Sequence, residues 1–133
     1  MPGLDTNVLI RWLVDDDQRH SARVHKLLRS ARAGQDLFFI PTTVMLEVEW
    51  VLRSRYQFDK PTVLQAFNAL LETQELEFQD EAALEWALHL YRRSNAEFAD
   101  CLHVGQCRSS ERVPLMTFDA KAARMPDVRL LDV

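Results

Sequence analysis

The strongest limit on what this chain can fold into is an alternation of short apolar runs with helix-length amphipathic stretches. The runs fall at residues 2–5, 37–41, 76–79, 115–118 and 129–131. Leu37-Phe38-Phe39-Ile40 and Leu115-Met116-Thr117-Phe118 are almost continuously apolar, the pattern of parallel strands covered on both faces. Helical patterns lie between the runs, at 20–32 (with Ala22, Leu27, Leu28 and Ala31 apolar), 42–55, 61–71, 81–93 and 97–108. Asp59 and Asp80 stand where N-caps are needed, and Ser94-Asn95-Ala96-Glu97 reads as a capping box before the last helix. Strands alternating with helices predict an α/β domain with a parallel sheet, its right-handed crossovers placing helices on both faces. The consecutive helices 42–55 and 61–71 predict a helical hairpin standing off that sheet.

A chain of 133 residues fits one domain, expected over 1–133. At that length about two thirds of the unfolded surface can be buried, so no disulfide or structural metal is required. A hydrophobic content of 47% with three glycines excludes a disordered or collagen-like chain. The net charge of −4 argues against a general electrostatic binder of nucleic acid or membrane surfaces. Cys101 and Cys107, in one helical stretch, fit a reducing cytosol better than a disulfide framework. Asp5 and Arg11 interrupt the early apolar run, so no signal peptide is expected, and no stretch suits a membrane span. The expectation is a soluble cytoplasmic protein without a membrane partner.

Carboxylates carry the chemistry. In open α/β sheets, function gathers beyond the carboxyl ends of the strands. Asp5 ends the first apolar run and Asp119 directly follows the fourth. Glu47, in Val44-Met45-Leu46-Glu47-Val48, and Asp100, in Phe98-Ala99-Asp100-Cys101-Leu102, lie within apolar helix segments. An embedded carboxylate pays for its desolvation unless it is paired or metal-bound. Four acids drawn together would repel, and a hard divalent cation such as Mg²⁺ or Mn²⁺ relieves that repulsion. Such a centre suits phosphate chemistry, activating water and stabilising charge on a phosphoryl oxygen. Each acid also has a plainer role: Asp5 in a turn, Asp119 as an N-cap, Asp100 as a solvated helix residue, and Glu47 with Glu49 on a wet helix face. Glu97 precedes Asp100 by three residues, on the same helix face, and a capping role accounts for it. Thr6, Asn7 and Thr117 adjoin these acids and suit turn hydrogen bonds. His20, His25, His89 and His103 lack metal-ligand spacing, no serine sits in a nucleophile elbow, and no glycine-rich phosphate loop is present. Trp12, Trp50, Tyr56 and Trp86 read as core or interface residues.

Four segments resemble the successive motifs of PIN domains, especially those of VapC-type toxins. They are Asp5-Thr6-Asn7-Val8-Leu9-Ile10-Arg11, Pro41 through Leu52 with Glu47 at the acidic position, Phe98-Ala99-Asp100-Cys101-Leu102-His103, and Leu115-Met116-Thr117-Phe118-Asp119-Ala120-Lys121. Their order and separations are similar to the family's across essentially the whole chain. The resemblance implies a three-layer α/β/α sandwich around a short parallel sheet in the order 3-2-1-4-5, with Asp5 and Asp119 on neighbouring strands. It implies a Mg²⁺- or Mn²⁺-dependent endoribonuclease with Asp5, Glu47, Asp100 and Asp119 as its acidic set, and Glu97 as a further acid near the metal. It also implies a homodimer, a cognate antitoxin protein that neutralises the toxin, and contact with promoter DNA only through that antitoxin. Arg11, Arg53, Arg55, Arg92, Arg93, Arg108 and Arg112 are candidates for contacts to the RNA backbone.

Two other readings compete. A phosphatase forming an aspartyl-phosphate on Asp5, as in the haloacid dehalogenase superfamily, would want a second Asp where Asn7 stands. A non-catalytic α/β module, acting with a partner in a DNA-bound regulatory complex, would use the acids only to hold a structural ion. The apolar residues of 42–55, Val44, Met45, Leu46, Val48, Trp50, Val51 and Leu52, surround their helix on nearly every side. A second surface beyond the core is therefore expected to meet a subunit or an antitoxin helix.

Overall fold

Asp5 sits in extended backbone, and its carboxylate accepts the Val8 amide at 3.1 Å. In the computed structural model, which describes residues 1–132, this cap opens helix α1, Thr6–Leu13. The sequence pattern predicts no helix there: Val8-Leu9-Ile10 suits a strand or a short helix equally, and the cap decides. The chain divides into two compact units, Met1–Gln79 and Asp80–Val133. The expected domain span of 1–133 includes Val133, which lies outside the described residues.

The first unit continues with α2, Gln18–Gly34, capped by Asp17 through the His20 amide and ended by Gln35 in left-handed backbone (φ 57°). Strand β1 (Phe38–Ile40), α3 (Thr42–Ser54), α4 (Lys60–Leu71) and β2 (Leu76–Phe78) follow. β1 and β2 pair in parallel, Phe38 opposite Leu76 and Ile40 opposite Phe78. The run at 2–5 forms only a parallel bridge from Gly3 to Phe39, flanked by Leu4 N–H to Phe39 O at 3.0 Å and Phe39 N–H to Pro2 O at 2.8 Å. α1 packs on α2 and α3, and α3 on α4, which is the expected helical hairpin. Leu9, Ile10, Ile40, Met45, Val48, Leu52, Phe67 and Leu70 are buried. On α2 the buried face is Ser21, Val24, Leu28 and Ala31, with Ala22 exposed.

One carboxylate in this unit is buried without belonging to the predicted acidic set. Glu75 is 4% exposed, and its Oε1 accepts the Arg32 Nε–H at 2.5 Å. That hydrogen bond holds the Glu75 carboxyl below its ordinary value, against burial, which pulls it up.

The second unit holds α5 (Glu81–Arg93), α6 (Phe98–Ser109), β3 (Leu115–Thr117), a 3-10 turn (Ala122–Arg124) and β4 (Val128–Leu130). β3 and β4 pair in parallel, Leu115 opposite Val128 and Thr117 opposite Leu130. α5 and α6 approach closely because position 105 is glycine: a Cβ there would lie 2.3 Å from the Ala83 carbonyl oxygen. The expected cover on both faces fails at β3, where Met116 is 45% exposed and Phe118, past the last pair, 68%. The capping box is also absent. Helix α6 starts only at Phe98, so Glu97 is the cap itself, with no side-chain cap bond, and Ser94 closes α5. Ser94 Oγ instead accepts the Ala96 amide at 3.3 Å.

The chain is thus α/β, with helices and short parallel strands. The pairings 3-2 and 4-5 of the expected order are present as β2–β1 and β3–β4, and 2-1 as the Gly3 bridge. Among the described residues no helix is long and apolar enough to cross a membrane.

Two stability measurements follow. Gly105→Ala forces a methyl group into the Ala83 backbone, and chemical denaturation should show a loss of about 1–3 kcal/mol. Glu75→Gln should cost about 1–3 kcal/mol at pH 7 by breaking a charge-assisted bond. Because the folded Glu75 pKa is lowered, this contribution is complete above the unfolded value and fades as pH falls through the folded one. The gap between wild type and variant should therefore close below about pH 4.

Candidate functional site

Asp5 and Glu47 are linked through Thr6. Thr6 is buried on the first turn of α1, and its hydroxyl donates to Glu47 Oε1 on α3. α3 is itself anchored at its start: the Thr42 amide donates to Gln79 Oε1 at 3.0 Å and the Thr42 hydroxyl to Gln79 O at 3.1 Å. The local sequence thus brings the residue next to Asp5 into contact with the Glu47 side chain. Both acids are solvent-exposed. This corrects the expectation that Glu47 is embedded among apolar neighbours. Met45 and Val48 turn to the core while Glu47 faces water, and the desolvated carboxylate on α3 is Glu49, 2% exposed. Arg53, one turn on, donates to Glu49 Oε2 at 2.9 Å and offsets that burial.

In the second unit, Asp100 lies half-buried in the first turn of α6, where the helix dipole favours a carboxylate. α6 packs against β3, and Asp119 follows β3 in a turn. Asp119 is exposed; its Oδ1 accepts the Lys121 amide at 2.8 Å and the Ala122 amide at 3.3 Å, while its own amide donates to Thr117 Oγ1 at 3.0 Å. The N-cap reading of Asp119 is therefore close to what forms, an Asx turn leading into the 3-10 turn. Glu97 is exposed and in extended backbone ahead of α6, so the expected helix face shared with Asp100 does not exist.

The donor chemistry fits a hard divalent cation: carboxylate oxygens supported by threonine hydroxyls, with no thiolate or imidazole needed. Among the described residues no group of three or more His, Cys, Asp or Glu side chains stands close enough together to hold a metal ion. What the structure brings together is the Asp5–Thr6–Glu47 link in one unit and the α6–β3 contact that carries Asp100 and Asp119 in the other.

Residues 4–128 match the family model of the PIN domain. The chain belongs to the PIN-domain family. No curated protein matches it. PIN domains are typically metal-dependent nucleases acting on RNA or DNA, with Mg²⁺ the usual ion. The PIN-domain match includes Asp5, Glu47, Asp100 and Asp119.

Asp5 carries a structural duty beside any chemical one, and substitution separates them. Asp5→Ala removes the α1 cap and should cost about 1 kcal/mol, whereas Asp5→Asn keeps a capping oxygen and should stay within a few tenths. Thermal unfolding monitored by circular dichroism reads the difference.

Proposed function

We propose that this PIN-domain chain, acting as one functional domain over residues 1–133, is a Mg²⁺- or Mn²⁺-dependent endoribonuclease and the toxin of a toxin–antitoxin pair. The observation that supports this reading most is the hydroxyl bridge from Thr6 to Glu47, which sets a second acid beside the capping acid Asp5. The family match also spans Asp100 and Asp119, which supports giving them a part in the same site. In this reading Asp5, Asp100 and Asp119 hold the metal, and Glu97 stands nearby as a further acid. When bound, the cation lowers the pKa of water and stabilises charge on a phosphoryl oxygen.

The residues then divide the work. Thr6 occupies Glu47 Oε1, which leaves Oε2 to orient the attacking water and take its proton. The water oxygen bonds to phosphorus in line with the departing 3′-oxygen. The P–O3′ bond breaks, leaving a 5′-phosphate and a 3′-hydroxyl once that oxygen is protonated. Asp5, Glu47 and Asp119 are all exposed, open to a cation and to water.

The partners belong to the same proposal. Trp50, 56% exposed on α3, is an aromatic left uncovered by the core, in keeping with a surface for an antitoxin or a second copy of the chain. Promoter DNA is reached only through the antitoxin, and the chain works in the cytoplasm.

Purified protein should cut total cellular RNA into discrete fragments with Mg²⁺ or Mn²⁺ and not with chelator. Asp5→Asn and Glu47→Gln should each lower the rate by at least about 100-fold while unfolding at the wild-type temperature. Equal cleavage by wild type and both variants would remove these acids from the site.

A further inference from the structure

The charge of this chain is unevenly placed. Its net charge is −4, yet α2 carries Arg19, Arg23, Lys26, Arg29 and Arg32 and no acidic residue. All five cations are exposed; Arg19, Arg23, Lys26 and Arg29 lie opposite the buried face of Ser21, Val24, Leu28 and Ala31, and Arg32 lies at its edge. They follow one another at intervals of three and four residues, the spacing at which helix side chains are neighbours, so the ladder repels itself. A helix built for stability alone would interleave acids at that spacing. Among the described residues Arg19, Arg23, Lys26 and Arg29 have no ion-pair partner.

Two clefts flank this helix. One, of 300 Å³, is lined by Asn7, Val8, Arg11, His20, Arg23 and Val24, and so adjoins the Asp5 cap, whose carboxylate holds the Val8 amide. The other, of 380 Å³, includes Trp12, His25, Arg29, Arg32 and Glu75. In this second cleft Arg32 is fixed. Glu75, 4% exposed, takes the Arg32 Nε–H, while the rest of that side chain stays 76% exposed. A guanidinium held at Nε presents its two terminal nitrogens as a ready fork, the geometry that suits a phosphate. Glu75 Oε2 is buried and has no hydrogen-bond partner among the described residues, so the charge-assisted bond of this carboxylate is the one from Oε1 to Arg32.

We infer that α2 is the backbone-binding helix for a single-stranded nucleic acid, its arginines and lysine contacting successive phosphates, with Arg32 preset by Glu75 and the strand leading past Arg23 toward Asp5. The inference rests on the nucleic-acid reading of the family and extends it to a surface outside the acidic motifs. Trp12 gives the second cleft aromatic area against which a base can stack. Glu75 acts through Arg32 and is a positioning residue.

The test uses the full chain carrying Asp5→Asn to stop turnover, and a short, unstructured, fluorescently labelled single-stranded RNA. Affinity is read by anisotropy between about 50 and 200 mM salt. Arg23→Ala with Arg29→Ala should raise Kd about tenfold and flatten the slope of log affinity against log salt by about 1.4, at about 0.7 per lost phosphate contact. Arg129→Ala, which removes one exposed charge on β4 and is compared with either α2 arginine substituted singly, should leave Kd within about twofold. Arg32→Ala and Glu75→Gln should each flatten the slope by about 0.7, and the double variant no further. A merely structural role for Glu75 would leave the slope intact. RNA binding unchanged by the α2 substitutions overturns the inference, whether or not those variants lose attachment to anionic lipid vesicles or to an acidic peptide. The nuclease reading fails separately: absence of metal-dependent cleavage by folded wild type contradicts it and leaves the binding result standing, and normal cleavage and binding by the α2 variants does the converse.

Discussion

A threonine hydroxyl shared between two helices organises the candidate chemistry. Thr6 sits directly after the residue that starts α1, and its hydroxyl reaches the one exposed acid of the segment 44–48 on α3. Three local facts have to agree for that contact to form. Asp5 must cap α1, the start of α3 must be held at the end of β2 by Gln79, and Met45 and Val48 must take the core side of α3. Each is an ordinary folding requirement, and together they bring two carboxylate-bearing positions to one place. The proposed function draws on groups that the fold already needs.

Electrostatics sets the two buried glutamates apart from the exposed motif acids. Glu49 and Glu75 are desolvated and each is answered by an arginine, Arg53 and Arg32. Asp5, Glu47 and Asp119 remain exposed, and their hydrogen-bond partners among the described residues are amides or a hydroxyl. A buried carboxylate is costly until a cation meets it, so the two buried acids read as structure. The exposed acids retain lone pairs that a metal ion or water can use. The basic ladder of α2 is the counterpart on the other side of the charge balance, without ion-pair partners among the described residues apart from Arg32.

Much of the architecture was legible in the sequence because hydrophobic period and capping agree. The runs 37–41, 76–79 and 115–118 and the helices 81–93 and 61–71 fall within a residue or two of β1, β2, β3, α5 and α4. The misreadings have local causes. α1 is short and apolar in a way that period alone does not classify, and only the Asp5 cap settles it. The segment 94–97 has capping-box letters, but the box requires the serine at the cap, and the chain turns into helix at Phe98 instead. The acids of the site were legible as residue types in motifs; their burial was not. Glu47 and Glu49 are two apart on one helix and so face different sides, and which side meets the core depends on α1. The basic face of α2 was hidden behind the net charge, which averages over a helix and a chain of opposite sign.

The central proposal is that Asp5, Asp100 and Asp119 hold a divalent cation while Glu47 acts on the attacking water. It is tested most directly by titrating the protein with Mn²⁺ and counting free ion by electron paramagnetic resonance, for wild type, Asp5→Asn, Glu47→Gln, Asp100→Asn and Asp119→Asn. The account predicts saturable binding by wild type that each Asp→Asn substitution weakens by at least about tenfold, with Glu47→Gln weakening it less. Binding equally strong in all five proteins, or absent from folded wild type, would contradict it.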